Sequence, residues 1–327
     1  MLQDNFGRTI DYLRLSITDR CNLRCRYCMP ENGVESLPHQ DVLSYEELLR
    51  LTRIAVDLGV RKVRITGGEP LVRRGLVGFI RQLRELDPAL ELALTTNGIL
   101  LAPLAAELKA AGLNRINVSL DSLRPERFRE ISRRDGLNEV LAGLQRAAEV
   151  GFAPIKINMV PIRGVNDDEI EAFAGLARTN PWEIRFIEFM PVSEGLDYSP
   201  AQRVGADEII ARLQRLGELE AVTSSATAGP ANCYHIAGYL GRVGIIPAVS
   251  QHFCAECNRL RLTADGRLRP CLFSTEEIDL RSRMREGASD EELSELLLQA
   301  TASKPLGHRI GSDDFSPASR RMHGIGG

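Results

Sequence analysis

No apolar run in this sequence of 327 residues reaches the length of a membrane-spanning helix, so no membrane association is expected. The N-terminal residues 1–9 are polar and lack the apolar core of a secretory signal. The chain also lacks an excess of positive charge, because its formal net charge is −3. A general affinity for nucleic acid is therefore not expected, and any anionic ligand must bind a local group of cations.

A complete disulfide framework is also excluded, because the chain has an odd number of cysteines, seven in all. Without a secretory signal, the expected location is the cytoplasm, where thiols stay reduced. Cysteines there more often bind metal or take part in redox chemistry than form disulfides. We therefore expect a cytoplasmic protein with metal or redox sites.

Short strand-like runs alternate with helical patterns along most of the chain. Ser44 and Glu47 form a capping-box pattern that predicts a helix through Leu58, and Gly59 ends it. Strands are predicted at six places: 13–18, 62–66, 92–96, 115–120, 155–160 and 184–189. Strand–helix repetition predicts an α/β fold with a parallel sheet, and six units are too few for a complete eight-unit barrel. We therefore predict an incomplete (β/α)6 TIM-like barrel, with a doubly wound sheet as the alternative.

One face of these strands is polar, which is unusual for the strands of a filled parallel barrel. Polar and apolar residues alternate with a period of two, so each polar set points to one side. If the apolar side packs on helices, the polar side lines a lumen, and the cations in it form an anion site. Those cations are Arg14, Lys62, Arg64, Lys156 and Arg185. The alternative is an antiparallel sheet with one face in water.

Residues 221–232 are small, polar and rich in helix breakers, and they predict a linker. After them the strand–helix repetition of the sequence stops. We therefore divide the chain into a partial barrel, 1–222, and a smaller C-terminal region, 223–327. Ala264, Asp265 and Gly266 predict a hairpin in that region. The tail from Lys304 to Gly327 is predicted to be flexible and without regular structure.

Two groups of three cysteines carry the chemistry. Cys21, Cys25 and Cys28 directly follow the first predicted strand, and three thiolates there would leave one iron of a [4Fe-4S] cluster open for a ligand. A zinc site with a distant fourth ligand is the alternative.

Cys254, Cys257 and Cys271 form the second group, and they too would leave one iron of a cluster open. The alternative is a four-cysteine zinc site completed by Cys233.

The first group resembles the signature of the radical S-adenosylmethionine (SAM) superfamily, with an aromatic residue, Tyr27, before its last cysteine. Residues 67–70, Gly-Gly-Glu-Pro, resemble the SAM-binding segment of that superfamily. Nearly the whole chain further resembles the GTP 3′,8-cyclase family of molybdenum cofactor biosynthesis. The matching segments are DYLRLSITDRC at 11–21, RITGGEP at 64–70, TTNG at 95–98, RINVSLD at 115–121, RFIEFM at 185–190, the second cysteine group with its arginines, and the final Gly-Gly.

The resemblance implies a radical SAM lyase with two [4Fe-4S] clusters and SAM, which converts GTP to (8S)-3′,8-cyclo-7,8-dihydroguanosine 5′-triphosphate after a 5′-deoxyadenosyl radical abstracts H3′. It implies the two cysteine groups as cluster ligands. The expected SAM contacts are Tyr27, Gly68, Glu69, Thr96, Asn97, Ser119 and Met190. The expected GTP contacts are Arg14, Lys62, Arg64, Thr95, Lys156, Arg185, Asn258, Arg259, Leu260, Arg261 and Gly327, with Arg259 and Arg261 also catalytic.

The resemblance also implies partners. An external electron donor would reduce the protein, and the product would pass to cyclic pyranopterin monophosphate synthase. No nucleic acid or membrane partner is expected, and a homodimer is left open.

Overall fold

The computed structural model describes residues 1–192, 198–222, 229–312, 315, 317 and 320–326. Within these residues the strands form one twelve-stranded sheet. The strands are β1 (Tyr12–Ser16), β2 (Lys62–Thr66), β3 (Glu91–Thr96), β4 (Arg115–Ser119), β5 (Lys156–Met159), β6 (Glu183–Ile187), β7 (Leu219–Val222), β8 (Asn232–Ile236), β9 (Arg242–Ile246), β10 (Arg259–Leu262), β11 (Arg267–Arg269) and β12 (Ile278–Asp279).

Helices follow most strands, as the sequence predicts. They are α1 (Tyr45–Asp57), α2 (Leu76–Leu86), α3 (Leu101–Ala110), α4 (Pro125–Ser132), α5 (Leu137–Glu149), α6 (Ile170–Thr179), α7 (Ala206–Gln214), α8 (Leu280–Arg285), α9 (Asp290–Ala302) and α10 (Met322–Ile325). The predicted capping box at the start of α1 is present, with the Ser44 hydroxyl accepting from the Glu47 amide at 3.2 Å. No helix in these described ranges is both long and apolar enough to cross a membrane.

The sheet order confirms the predicted incomplete barrel and adds to it. Strands β1 to β6 are neighbours in chain order and all parallel. The C-terminal region extends this sheet at both edges, because β10 pairs with β1 and β9 pairs with β6, both in parallel. Antiparallel strands follow outside them, β11 and β12 at one edge and β8 and β7 at the other.

The alternation along the strands sorts side chains as expected. Leu13 and Leu15 of β1 are buried in the apolar core between sheet and helices, whereas Arg14 lies on the opposite face. The strands that carry this alternation are parallel, so the antiparallel alternative with one wet face is wrong.

Two expectations for the C-terminal half, the linker and the irregular tail, are wrong in part. A third expectation concerns Gly327, which the structure does not describe. The predicted linker 221–232 overlaps two strands, because β7 includes residues 221 and 222 and β8 begins at Asn232; residues 223–228 lie outside the described part. The tail is not wholly irregular, because α10 is helical and Ile325 is only 1% exposed. Gly327 lies outside the described residues. The division into 1–222 and 223–327 stays a prediction.

Candidate active site

The first cysteine group lies in one loop at the carboxyl end of β1. The Cys28 amide donates to the Cys25 carbonyl at 2.8 Å, and the Leu23 amide donates to the Cys21 sulfur at 3.4 Å. All three thiols are free of disulfides. Burial raises the pKa of each thiol, to about 12 for Cys28. Thiolates in this loop therefore require a positively charged partner, which the iron of a cluster would supply.

Gly68 holds the predicted SAM-binding segment, residues 67–70, against the loop of the first cysteine group. The Gly68 amide donates to the Thr18 carbonyl at 2.7 Å, and the Glu69 amide donates to the Arg20 carbonyl at 2.8 Å. A Cβ atom on Gly68 would come within 2.4 Å of the Arg20 carbonyl oxygen. The glycine therefore allows two backbones to touch, and its contact in this structure is with the cysteine loop.

Glu69 joins the ends of β2 and β3 rather than lining the main cavity. Its carboxylate accepts from the Thr96 hydroxyl at 2.7 Å and from the amides of Asn97 at 2.6 Å and Leu71 at 3.0 Å. Burial raises its pKa to about 7 despite these bonds. The Asn97 side chain reaches the Cys21 sulfur at 3.9 Å. Thr96 and Asn97 thus brace the cysteine loop, and their contact with SAM stays a prediction.

A cavity of about 300 Å³ lies inside the barrel, and its wall includes Tyr27 from the first cysteine loop but, among the described residues, not Cys21, Cys25 or Cys28 themselves. Near the first cysteine group, its wall includes Tyr27, Ser119 and Met190. The Tyr27 hydroxyl donates to Asp121, whose other oxygen accepts from the Val160 amide at 2.9 Å. Burial raises the pKa of Asp121 to about 6. This end therefore offers an aromatic ring, a methionine and hydroxyl groups close to the cysteine loop.

Three arginines form a row across adjacent strands of the same wall. The strand register places Arg261, Arg14 and Arg64 side by side on β10, β1 and β2. Arg64 and Arg261 are buried, Arg14 is half-buried, and all three line the cavity. Burial, and then the charges of Arg14 and Arg259, lower the pKa of Arg261 well below its usual value. Neighbouring cations that lower one another's pKa in this way are stabilised when a polyanion binds between them.

The remaining predicted cations are partly neutralised. Lys62 lies 2.9 Å from Glu91, Lys156 lies 3.5 Å from Glu183, and Arg185 forms a close ion pair with Glu183. Arg185 is 4% exposed, so its ion pair is buried rather than at the surface. Burial and the Arg185 charge lower the pKa of Lys156 to about 8. Thr95 also lines the cavity, 3.4 Å from Arg64 Nη1.

Arg185 and Met190 both line the cavity although they are an odd number of residues apart. Strict alternation along one strand would place them on opposite faces. Because β6 ends at Ile187, the chain leaves the alternation before it reaches Met190.

The second cysteine group lines the same cavity, with all three of Cys254, Cys257 and Cys271 in its wall. Burial alone would raise the pKa of the Cys257 thiol, but the charges of Arg259 and Lys304 lower it to about 6. The Arg259 guanidinium lies 4.8 Å above the ring of Phe253. Two cations, Arg259 and Lys304, therefore lie close to this group.

Cys233 is not a fourth ligand of that group. It lies in β8 with its sulfur 3.7 Å from Glu183, and it does not line the cavity. In the part of the chain that the structure describes, no three His, Cys, Asp or Glu side chains are arranged to bind a single metal ion. A four-iron cluster makes a different demand, since each thiolate binds a different iron, and both cysteine groups supply three thiols to one place.

Two predicted GTP contacts point elsewhere. Leu260 is 1% exposed in the apolar core, because it lies between Arg259 and Arg261 in β10 and so points to the opposite face. The Asn258 side chain donates to Asp11 at 2.6 Å and does not line the cavity. Neither side chain lines the cavity, and the contacts of both residues with GTP stay predictions.

The described end of the tail lies inside the barrel. The Gly326 carbonyl accepts from Arg261 Nη1 at 2.9 Å, and a Cβ atom on Gly326 would come within 2.6 Å of Thr66 Oγ1. The backbone of His323 acts to lower the pKa of the Cys28 thiol, so it lies close to that sulfur. The tail therefore reaches both the first cysteine loop and the arginine row.

Sequence analysis missed three residues in the site: Tyr12, Asp121 and Lys304. The Tyr12 hydroxyl accepts from Arg64 Nε, and the ammonium group of Lys62 lies 5.1 Å above its ring. Burial alone would raise the pKa of Tyr12, but Arg64, Arg14 and Lys62 lower it to about 7. The period-two alternation that identified Arg14 also includes Tyr12, so the sequence pattern could have predicted this residue as part of the site.

Comparisons with known proteins agree with this geometry. The family model described as Radical SAM superfamily matches residues 15–177, and the model described as Molybdenum Cofactor Synthesis C matches residues 182–310. The chain is 49% identical to a protein of Syntrophomonas wolfei named GTP 3′,8-cyclase, over 99% of both chains. Proteins of the same name from Heliobacterium modesticaldum (99% of both chains) and Thermodesulfovibrio yellowstonii (100% of both) are 48% and 47% identical.

Solved structures agree in fold. The chain resembles Streptococcus suis SuiB bound to precursor peptide SuiA with a TM-score of 0.61 and 15% identity, over 92% of this chain and 66% of that one. It resembles methylornithine synthase (PylB) with a TM-score of 0.50 and 16% identity, over 64% and 63%. At these identities the likeness concerns the fold alone.

Proposed function

Because this chain belongs to the GTP 3′,8-cyclase family of radical SAM enzymes, we propose that its cavity holds SAM at the first cysteine group, GTP across the arginine row, and the guanine end of GTP at the second cysteine group. It converts GTP to (8S)-3′,8-cyclo-7,8-dihydroguanosine 5′-triphosphate in molybdenum cofactor biosynthesis. The observation that carries this assignment is one cavity whose wall contains the second cysteine group, the row of arginines and Tyr27 from the loop of the first cysteine group.

Cys21, Cys25 and Cys28 hold the first [4Fe-4S] cluster in this proposal. When bound, that cluster supplies the electron that cleaves SAM to methionine and a 5′-deoxyadenosyl radical, which removes H3′ of GTP. Tyr27 and Asp121 form a buried hydrogen-bonded pair beside this loop and would orient SAM. Ser119 and Met190 would contact it from the same wall, with Gly68, Glu69, Thr96 and Asn97 holding the loop in place behind.

Arg14, Arg64 and Arg261 bind the triphosphate. Their guanidinium groups match phosphate oxygens, and bringing a polyanion among them relieves their mutual repulsion. Lys62, Thr95, Lys156 and Arg185 would complete the binding site. Since Lys62, Lys156 and Arg185 already face Glu91 or Glu183, their ion pairs support a role in fixing the shape of the site more than in adding net charge.

Cys254, Cys257 and Cys271 hold the second cluster, whose open iron would face guanine. Arg259, which lies above Phe253 and next to Cys257, and Arg261 would act on the substrate as the catalytic arginines. Gly327 would also contact GTP, and the hydrogen bond between its neighbour Gly326 and Arg261 supports this. A rigid, enclosed GTP is needed because the radical reacts with whatever hydrogen lies nearest.

We further propose that residues 1–222 bind SAM and residues 223–327 bring the second cluster to the same cavity. Seven unpaired thiols among the described residues support a reducing location, the cytoplasm. An external electron donor would reduce the protein, and the product would pass to cyclic pyranopterin monophosphate synthase. A homodimer is compatible with this scheme.

The test is turnover by protein purified and reconstituted without oxygen. With SAM, dithionite and GTP, we expect 5′-deoxyadenosine and the cyclic triphosphate in equal amounts, and about eight iron atoms per chain from two clusters. ATP in place of GTP serves as the matched control and should yield neither. Deoxyadenosine that forms independently of GTP, or protein that contains zinc alone, would contradict the proposal.

A further inference from the structure

We propose that Lys304 is a positioning residue of the second cluster: it fastens the two chain segments that carry Cys257 and Cys271 to each other and places a buried positive charge beside their sulfurs. This inference rests on the proposed function, because it requires a cluster at the second cysteine group. It concerns a residue that follows the end of α9, far along the chain from the cysteines it serves.

The geometry of the ammonium group carries the first half of the proposal. Lys304 Nζ donates to the Arg259 carbonyl at 2.9 Å and to the Pro270 carbonyl at 2.7 Å. Arg259 follows Cys257 by two residues, and Pro270 directly precedes Cys271. A single side chain therefore ties β10 to the segment after β11, and this tie sets the distance between two of the three cluster ligands.

The charge of Lys304 carries the second half. The residue is 3% exposed, and among the described residues no carboxylate forms an ion pair with it. The thiols of Cys257 and Cys271 lie close enough to its ammonium group to act on the pKa of Lys304, in the direction that raises it. A buried ammonium group without an anion is costly, so the thiolates and the cluster they hold are its natural counter-charge.

Arg259 supplies a second positive charge to Cys257 but differs in its other contacts. Its guanidinium lies over the Phe253 ring and faces the cavity, where substrate binds. Lys304 also lines the cavity, but its ammonium group is held by two backbone carbonyls, so its position does not depend on the substrate. We therefore expect Lys304 to act on the cluster whether GTP is present or absent.

A positive charge and an N–H donor beside the sulfurs favour the reduced, more negative state of a cluster. Removing Lys304 should therefore lower the reduction potential of the second cluster. The ratio of reduced to oxidised cluster, measured at the wild-type midpoint, should fall at least about tenfold, which corresponds to ~59 mV for a one-electron couple.

The experiment is a redox titration followed by electron paramagnetic resonance, on the full chain carrying Cys21→Ala and Cys25→Ala so that only the second cluster gives a signal. Lys304→Met removes both charge and donors, and Lys304→Gln removes the charge while keeping an N–H donor. Lys109→Met is the matched control, because Lys109 also donates to one backbone carbonyl, that of Gly151 at 2.9 Å, but lies outside the cavity.

We expect lower potentials in both Lys304 variants and an unchanged potential in the control. Loss of iron from the second site in both variants, with normal circular dichroism, also supports the proposal, because the tie then decides whether the cluster is held. Unchanged potential and unchanged iron in both variants would overturn it. Absence of the second cluster from the parent chain would overturn this inference and the proposed function together, whereas a normal parent cluster with unresponsive variants overturns this inference alone.

Discussion

The Cys21→Ala variant is expected to reduce SAM cleavage to background, measured as 5′-deoxyadenosine formed with dithionite and GTP. Each thiolate of the first group would bind one iron of the proposed cluster, so the loss of one would leave the cluster without a third protein ligand. The Cys21 sulfur also receives hydrogen bonds from the Leu23 amide and the Asn97 side chain, so it is held in one place. Iron content should fall from about eight atoms per chain to about four.

Cys233→Ala is the matched control for this loss. Cys233 is buried, belongs to neither cysteine group and does not line the cavity. Its removal should leave iron content and deoxyadenosine formation at wild-type levels. A Cys21→Ala protein that still makes deoxyadenosine at the wild-type rate would show that the cluster lies elsewhere.

The second large effect is expected from Arg64→Met, which removes the arginine at one end of the row formed with Arg14 and Arg261. Charge-assisted hydrogen bonds contribute about 1.5–3 kcal/mol each. The dissociation constant for GTP should therefore rise roughly tenfold to a hundredfold, because about 1.4 kcal/mol corresponds to a factor of ten. Affinity for SAM should stay the same, since the side chain of Arg64 hydrogen-bonds Tyr12 and Thr95, neither of which is proposed to contact SAM.

Anaerobic equilibrium dialysis with GTP, GDP and GMP measures this effect. The preference for GTP over GMP should shrink in the variant, because the lost contact is with phosphate. Arg146→Met provides a control of equal charge, since Arg146 is 48% exposed on α5 and pairs only with Glu149 among the described residues. Unchanged GTP affinity in Arg64→Met would show that the triphosphate binds outside the row.

Local patterns predicted most of this site because its parts lie on regular elements. The cysteine spacing identified the first loop, and the period of two along β1, β2 and β10 accounts for the position of Arg14, Arg64 and Arg261 on one face of the sheet. The same rule, applied strictly, would have excluded Leu260, which the family resemblance had included.

What the sequence did not predict depends on register between distant segments. The pairing of Lys156 with Glu183 follows from the alignment of β5 with β6, which spacing along the chain cannot supply. Lys304 was missed for a similar reason, since nothing near it in sequence indicates that two carbonyls from β10 and the segment after β11 meet at its ammonium group. The sequence predicts a smaller C-terminal region, but it does not indicate that the strands of this region join both edges of the barrel sheet.

The central claim is that SAM bound at the first cysteine group and GTP bound across the arginine row share one cavity. GTP carrying deuterium at C3′ tests it most directly, by mass spectrometry of the 5′-deoxyadenosine formed in a reconstituted reaction. We expect deoxyadenosine that carries one deuterium atom and that forms only when GTP is present. Deoxyadenosine that forms with GTP but without deuterium would contradict it.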